Sequence, residues 1–245
     1  MHYNPRQPKA TSGPLMDEAA QHWLHALSAP MAALNGASYT APDYFEGEDQ
    51  ADLERWWGIS TRAQLLDMLS MADNGHATEL SEAYWQYQRC LPSQWQALLE
   101  TLPPRERIRH QYAARTFPDC GPGGTRAWDL GRMSYLLRAG VKKGLVSREE
   151  SLYLHYRLAL RARHYYNRWD SYLAGYLFGK ALWNASGSSD EALAANLERQ
   201  GYEHWNRCIL LNLRHGAHAL FAELPWDLPL PEPQRPITLE EDCWS

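Results

Sequence analysis

Phenylalanine is scarce in this sequence: four copies stand against eleven Trp and fourteen Tyr. Each Trp or Tyr that takes the place of a Phe brings an N–H or O–H into the interior, and that group needs a partner when buried. The composition therefore predicts either a core rich in aromatic-to-polar contacts or an aromatic-lined groove, and core filling is the commoner fate of such residues. Cysteine is sparse too. Cys90, Cys120, Cys208 and Cys243 are scattered with no C-x-x-C pair. That removes zinc-ribbon and thioredoxin-like classes and supplies no disulfide framework in a chain of this length. Long hydrophobic runs are missing. The longest apolar stretch, residues 172–183, is interrupted by Lys180 and is too short to span a bilayer. The polar, Pro-containing residues 1–14 lack the apolar segment of a secretory signal, so no membrane association and a cytoplasmic location are expected.

Catalytic signatures are absent as well. There is no G-x-S-x-G, no H-E-x-x-H, no phosphate-binding P-loop and no dinucleotide fingerprint, and no cofactor is expected. His76 and Glu79 stand three residues apart, as do His215 and His218. Each pair supplies two ligands at most, short of a catalytic metal site, so no metal is expected. The net charge is −5 but uneven. From Arg105 to Arg168 fourteen basic residues face five acidic ones, while the remainder carries ten basic and twenty-four acidic residues. The basic residues are interleaved with apolar helical positions and the pI is about 6.1, which argues against nucleic-acid binding. Mutual packing of an acidic and a basic half accounts for the asymmetry.

What the sequence has in abundance is helix punctuation. No segment alternates with period two, so an all-α fold is expected: one multi-helix globular domain of about eight to ten helices. Residues 16–35 form an amphipathic segment bearing Trp23, Leu24 and Leu27, interrupted at Pro30. A short helix ends at Gly58; Ser60 is placed to cap the next, and Gly75 to close it in a left-handed conformation. Pro104 suits the first position of a further helix. Residues 118–124 read as a Gly/Pro loop. Ser147 with Glu150 makes a capping box for a helix to about residue 167, and Asp170 is placed to cap the one after it. Asp190 opens a last helix with a break expected at Gly201. Residues 1–15 are expected as a flexible N-terminus, 16–224 as the helical domain, and 225–245 as an extended, Pro-rich acidic tail along the surface.

Two clusters stand out. Trp128, Gly131, Arg132 and Tyr135 share one helical stripe, with Asp129 on the adjoining face. A guanidinium on an otherwise apolar face needs a carboxylate, which makes Arg132–Asp129 an ion-pair node or, alternatively, the floor of an anion site. Downstream, Tyr172, Gly175, Tyr176, Gly179 and Trp183 form a second stripe behind Trp169 and Asp170. Its small residues predict a close helix crossing flanked by rings, with Tyr hydroxyls in reach of Arg132.

Taken in order, Trp57-Gly58-Ile59 with Leu66, Leu69 and Gly75-His76, then Ala127 to Arg132, then Ser147 to Glu150, then Trp169 to Tyr172 with Tyr176, Gly179 and Trp183, resemble the four sequence blocks of a bacterial family. That family is domain of unknown function 1266, the YbeU/YbeR-like proteins. The likeness covers about residues 52–185. It implies a bacterial, cytosolic protein and no particular activity. It also implies that the Trp, Gly, Arg and Asp positions shared with the family serve a common fold.

Two functional expectations follow. The first is a non-enzymatic module that binds another protein, supported by surface-capable Trp and Tyr, acidic residues 43–54 and acidic residues 232–242. Neutralising a basic, toxin-like partner is one version. The second is an enzyme or small-anion binder that gathers Arg132, Asp129, Tyr172, Tyr176 and His76 in one cleft.

Overall fold

The computed structural model describes residues 16–35, 52–198, 211, 213 and 220–240. The expected N-terminal segment, acidic residues 43–51, Gly201, His215 and His218 lie outside them. Among the described residues the chain is helical and no strand occurs.

One helix organises the rest. α9 (Arg126–Lys142) is buried without interruption from Ala127 to Gly140. Among the described residues, α2 (Ala29–Leu34), α4 (Arg62–Met68), α5 (Met71–Asn74), α10 (Arg148–Tyr165) and α11 (Trp169–Ala185) pack on it. A helix enclosed on all sides has no polar face to offer water. α9 nevertheless carries Asp129, Arg132, Ser134 and Arg138, so the centre of the domain holds charge as well as apolar packing. A second apolar cluster lies to one side. There Leu80 and Tyr84 of α6 (Thr78–Arg89), Tyr112 of α8 (Pro104–Cys120), Phe178 and Leu182 of α11, and Leu193 of α12 (Asp190–Glu198) meet. The remaining described helices are α1 (Glu18–Ala26), α3 (Leu53–Trp57), α7 (Pro92–Thr101) and α13 (Leu220–Glu223).

Local chemistry explains most boundaries. Ser147 Oγ accepts from Glu150 N–H at 3.2 Å while Glu150 Oε2 accepts from Ser147 N–H at 2.8 Å, the expected capping box. The cap of α4 is Thr61 rather than Ser60, because Thr61 accepts from the Gln64 N–H and Gln64 returns the bond. Pro118 stays inside the last turn of α8, and the turn to α9 begins only at Gly121. Residue 170 is not a cap: α11 starts after Arg168, which leaves Asp170 in its first turn, where an acid favours the helix dipole. Gly75 differs from expectation as well. Its φ is −83°, and glycine is required there for space: a Cβ would lie 2.3 Å from the Met71 carbonyl and 2.5 Å from the Asp129 carboxyl carbon.

The C-terminal segment runs extended along the surface and is tied to the helices beneath it. Trp23 Nε1 donates to the Pro225 carbonyl at 3.0 Å and Trp169 Nε1 to the Leu224 carbonyl at 2.7 Å. Trp226 lies 4.7 Å from the Trp169 ring and 5.4 Å from Trp23. Farther on, Leu239 is buried, and Thr238 donates to Glu150, whose carboxylate is already held bidentately by Arg62 at 2.7 Å. Residues 225–240 therefore strap the domain.

Candidate functional site

The stripe on α9 brings its residues together as the helical spacing requires. Arg132 is 8 % exposed. Its guanidinium lies over Trp57 of α3 at 4.6 Å and over Trp128, one turn back, at 5.3 Å. Both contacts are of cation–π type, which strengthens as water is excluded. Asp129 Oδ1 stands 3.5 Å from Arg132 Nη1. The other carboxylate oxygen, Oδ2, accepts the Ala77 N–H at 2.7 Å and so closes the N-terminal end of α6. Asp129 is thus shared between an ion pair and a helix end. Burial raises its pKa, against the Ala77 N–H and Arg132, which lower it. Burial likewise lowers the pKa of Arg132, with Asp129 opposing.

The stack continues outward. Trp183 of α11 packs 5.7 Å from Trp128, and Tyr176 meets Trp128 edge-on at 5.1 Å. Trp57, Arg132, Trp128 and Trp183 therefore form a line from α3 through the core helix to α11. The helices can approach this closely because of two glycines. A Cβ on Gly179 would stand 2.3 Å from Trp128 Cβ, and one on Gly131 would stand 2.9 Å from the Tyr176 ring. Gly175 lies under the Gly124 carbonyl in the same way.

Of the five expected cleft residues, Arg132 and Asp129 meet directly, and Tyr176 borders them through Trp128 and Gly131. His76, half-buried, adjoins Asp129 and acts on its charge. Tyr172 belongs elsewhere. Its hydroxyl donates to the Leu27 carbonyl at 2.7 Å, and its ring joins Tyr166, Trp169 and Trp226. It turns inward because α1 and the strap cover that face of α11. Glu79 is held by Arg109 and does not pair with His76. Among the described residues, no three His, Cys, Asp or Glu side chains come together as metal ligands. No helix described is long and apolar enough to cross a membrane.

A second polar centre went unread in the sequence. His155 of α10 is fully buried, with Nδ1 2.7 Å from the Ser151 carbonyl and the His25 ring edge-on at 5.3 Å. Arg138 donates to Ser28 nearby. The signal was available: Ser151, Leu154, His155, Leu158, Ala159 and Ala162 follow one helical stripe and all are buried. A cleft of about 310 Å³ also opens between the end of α8 and the α10–α11 corner, bordered by Asp119, His164 and Arg168. None of the expected site residues lies there.

An all-helical domain wrapped on one charged, buried helix is the class that this fold and this centre define. The chain belongs to the DUF1266 family, described as a protein of unknown function, whose family model matches residues 52–226. It is 34 % identical to the uncharacterized protein YbeU of Escherichia coli (strain K12) over 233 residues, 93 % of this chain and 96 % of that protein. With the uncharacterized protein YbeR of the same organism it shares 36 % identity over 216 residues, 86 % of this chain and 92 % of YbeR. No solved structure matches. The family match extends past residue 185 to Trp226, which is physically reasonable because Trp226 packs on Trp169 and Tyr172 of the fourth sequence block.

Proposed function

We propose that this chain is a cytosolic helical module that binds another protein through tryptophans it keeps at its surface. The observation behind this reading is the contrast among its indoles. Trp23 is wholly buried, whereas Trp56 is 70 % exposed, Trp85 53 % and Trp183 45 %. A Trp ring buries about 150–250 Å² when covered, a large gain that these positions forgo in the isolated chain. Trp and Arg dominate the energetics of protein interfaces. Here Arg55 lies over Trp56 at 5.0 Å and Arg89 over Trp85 at 4.4 Å. Stacking of this kind orients the rings in advance and reduces the ordering cost of association. Trp183 is the outer end of the line that starts at Trp57, so it too is held from behind. The net charge of −5 favours a basic partner.

The test is retention of bacterial proteins on the immobilised chain, quantified by mass spectrometry, for the parent and for Trp56→Ala, Trp85→Ala and Trp183→Ala. Circular dichroism controls for folding. The expected result is a protein retained in stoichiometric amount by the parent and lost by at least one folded variant. Retention indifferent to all three substitutions would count against the reading.

A further inference from the structure

Arg132 has five N–H donors. Among the described residues it finds one acceptor, Asp129 Oδ1 at 3.5 Å, the outer limit of a hydrogen bond. Its side chain is 10 % exposed, so water meets only an edge of it. One turn earlier, the Trp128 indole N–H is buried and has no acceptor among the described residues. A buried donor left unmet costs about 1–3 kcal/mol, and more when charged. The Trp128 N–H is such a donor, and one turn on, the uncommitted Arg132 nitrogens keep a thin edge at the surface, so the two together offer donors to an acceptor oxygen.

The surroundings select the kind of oxygen. The Trp57 and Trp128 rings both pack on the guanidinium, at 4.6 and 5.3 Å, and the N–H edge that keeps some exposure is left for hydrogen bonding. That edge matches the two coplanar oxygens of a carboxylate. Asp129 does not already fill the role. One of its oxygens is committed to Ala77 N–H at the positive end of the twelve-residue α6, and the other only reaches Arg132 at the limit of bonding. Trp183, half exposed, packs on Trp128, so the indole that carries the unmet N–H lies one ring from solvent.

We propose that the Arg132 edge and the Trp128 N–H form a receptor for a carboxylate, supplied by a small organic acid or by an acidic side chain of a partner. The site stands independently of the exposed tryptophans at Trp56 and Trp85. Its test is titration of the full chain with sodium acetate, and separately with an N-acetylated, C-amidated Gly-Glu-Gly peptide, against sodium chloride at matched ionic strength. Indole fluorescence and thermal unfolding are the readouts. A saturable response beyond that of chloride is expected. Tighter binding of the peptide assigns the carboxylate to a protein partner, and equal or tighter binding of acetate assigns it to a free acid. Arg132→Met should abolish the response. Trp128→Phe, which keeps a ring and drops the N–H, should weaken it about ten-fold, and it carries the test alone if the Met variant does not fold. Curves that match chloride in the parent, or that survive Trp128→Phe unchanged, overturn the proposal.

Discussion

Acidification from about pH 7 to about pH 5 acts on this fold through His155 of α10. The ring is fully buried, and burial lowers its pKa from 6.5 to about 4; the Ser151 carbonyl works against that shift and the Arg138 charge adds to it. The folded protein therefore keeps His155 neutral at pH values where the unfolded chain takes up the proton. Between those two pKa values the unfolded state binds more protons, so stability is complete above the ordinary His value and is lost as pH falls toward the folded one. At 1.36 kcal/mol per pKa unit, the loss between about pH 7 and about pH 5 is about 2 kcal/mol, rising to about 3 kcal/mol nearer pH 4. Glu150, its pKa lowered by Arg62 and Thr238 in spite of burial, loses stability in the same direction at lower pH. Asp129, its pKa raised by burial, works the opposite way. Both remain in a His155→Asn variant, whose amide can still donate to the Ser151 carbonyl but cannot titrate. Urea unfolding followed by indole fluorescence at the two pH values, for parent and variant, isolates the histidine. The variant should start less stable and lose about 2 kcal/mol less on acidification. Equal losses in the two proteins would refute the assignment.

Asp129→Ala should lower the urea midpoint more than Arg132→Met, because removing the acid strands a buried guanidinium at a cost of about 3–5 kcal/mol and also uncovers the Ala77 N–H. The opposite order would mean that Arg132 is satisfied without the carboxylate. Gly179→Ala should destabilise by about 1–3 kcal/mol or more in thermal unfolding, since its Cβ would meet Trp128 Cβ at 2.3 Å, next to the α9 backbone. Gly131→Ala should be milder, because the Tyr176 ring at 2.9 Å can move; equal or reversed effects would contradict the packing described.

Several features were legible in the chain itself because they depend on neighbours in sequence. The capping box at Ser147 and Glu150, the start of α8 at Pro104 and the helical character of the described residues need only backbone donors and helical spacing. The burial of Arg132 followed from the stripe it shares with Trp128 and Gly131, and its pairing with Asp129 from their three-residue spacing on adjoining faces. The Trp57 ring on the guanidinium did not, because α3 is far from α9 in the chain. His155 was overlooked although its stripe was readable, since a single His among apolar residues has no local signature that separates a buried ring from an exposed one.

What the amino-acid order determined by itself was that the chain is helical and where several helices begin and end, through periodicity and caps that act over a few residues; the helix expected to run up to Gly75 is in fact two, α4 and α5. Only the tertiary structure decided which faces meet. It placed Tyr172 on the Leu27 carbonyl rather than on Arg132, made Gly75 a matter of space beside Asp129, and chose the contacts that anchor the extended residues 225–240, through Trp226 and Thr238. Each of these depends on groups brought together from distant parts of the chain. Their contacts are set by how α9 is enclosed, and local spacing carries no record of that.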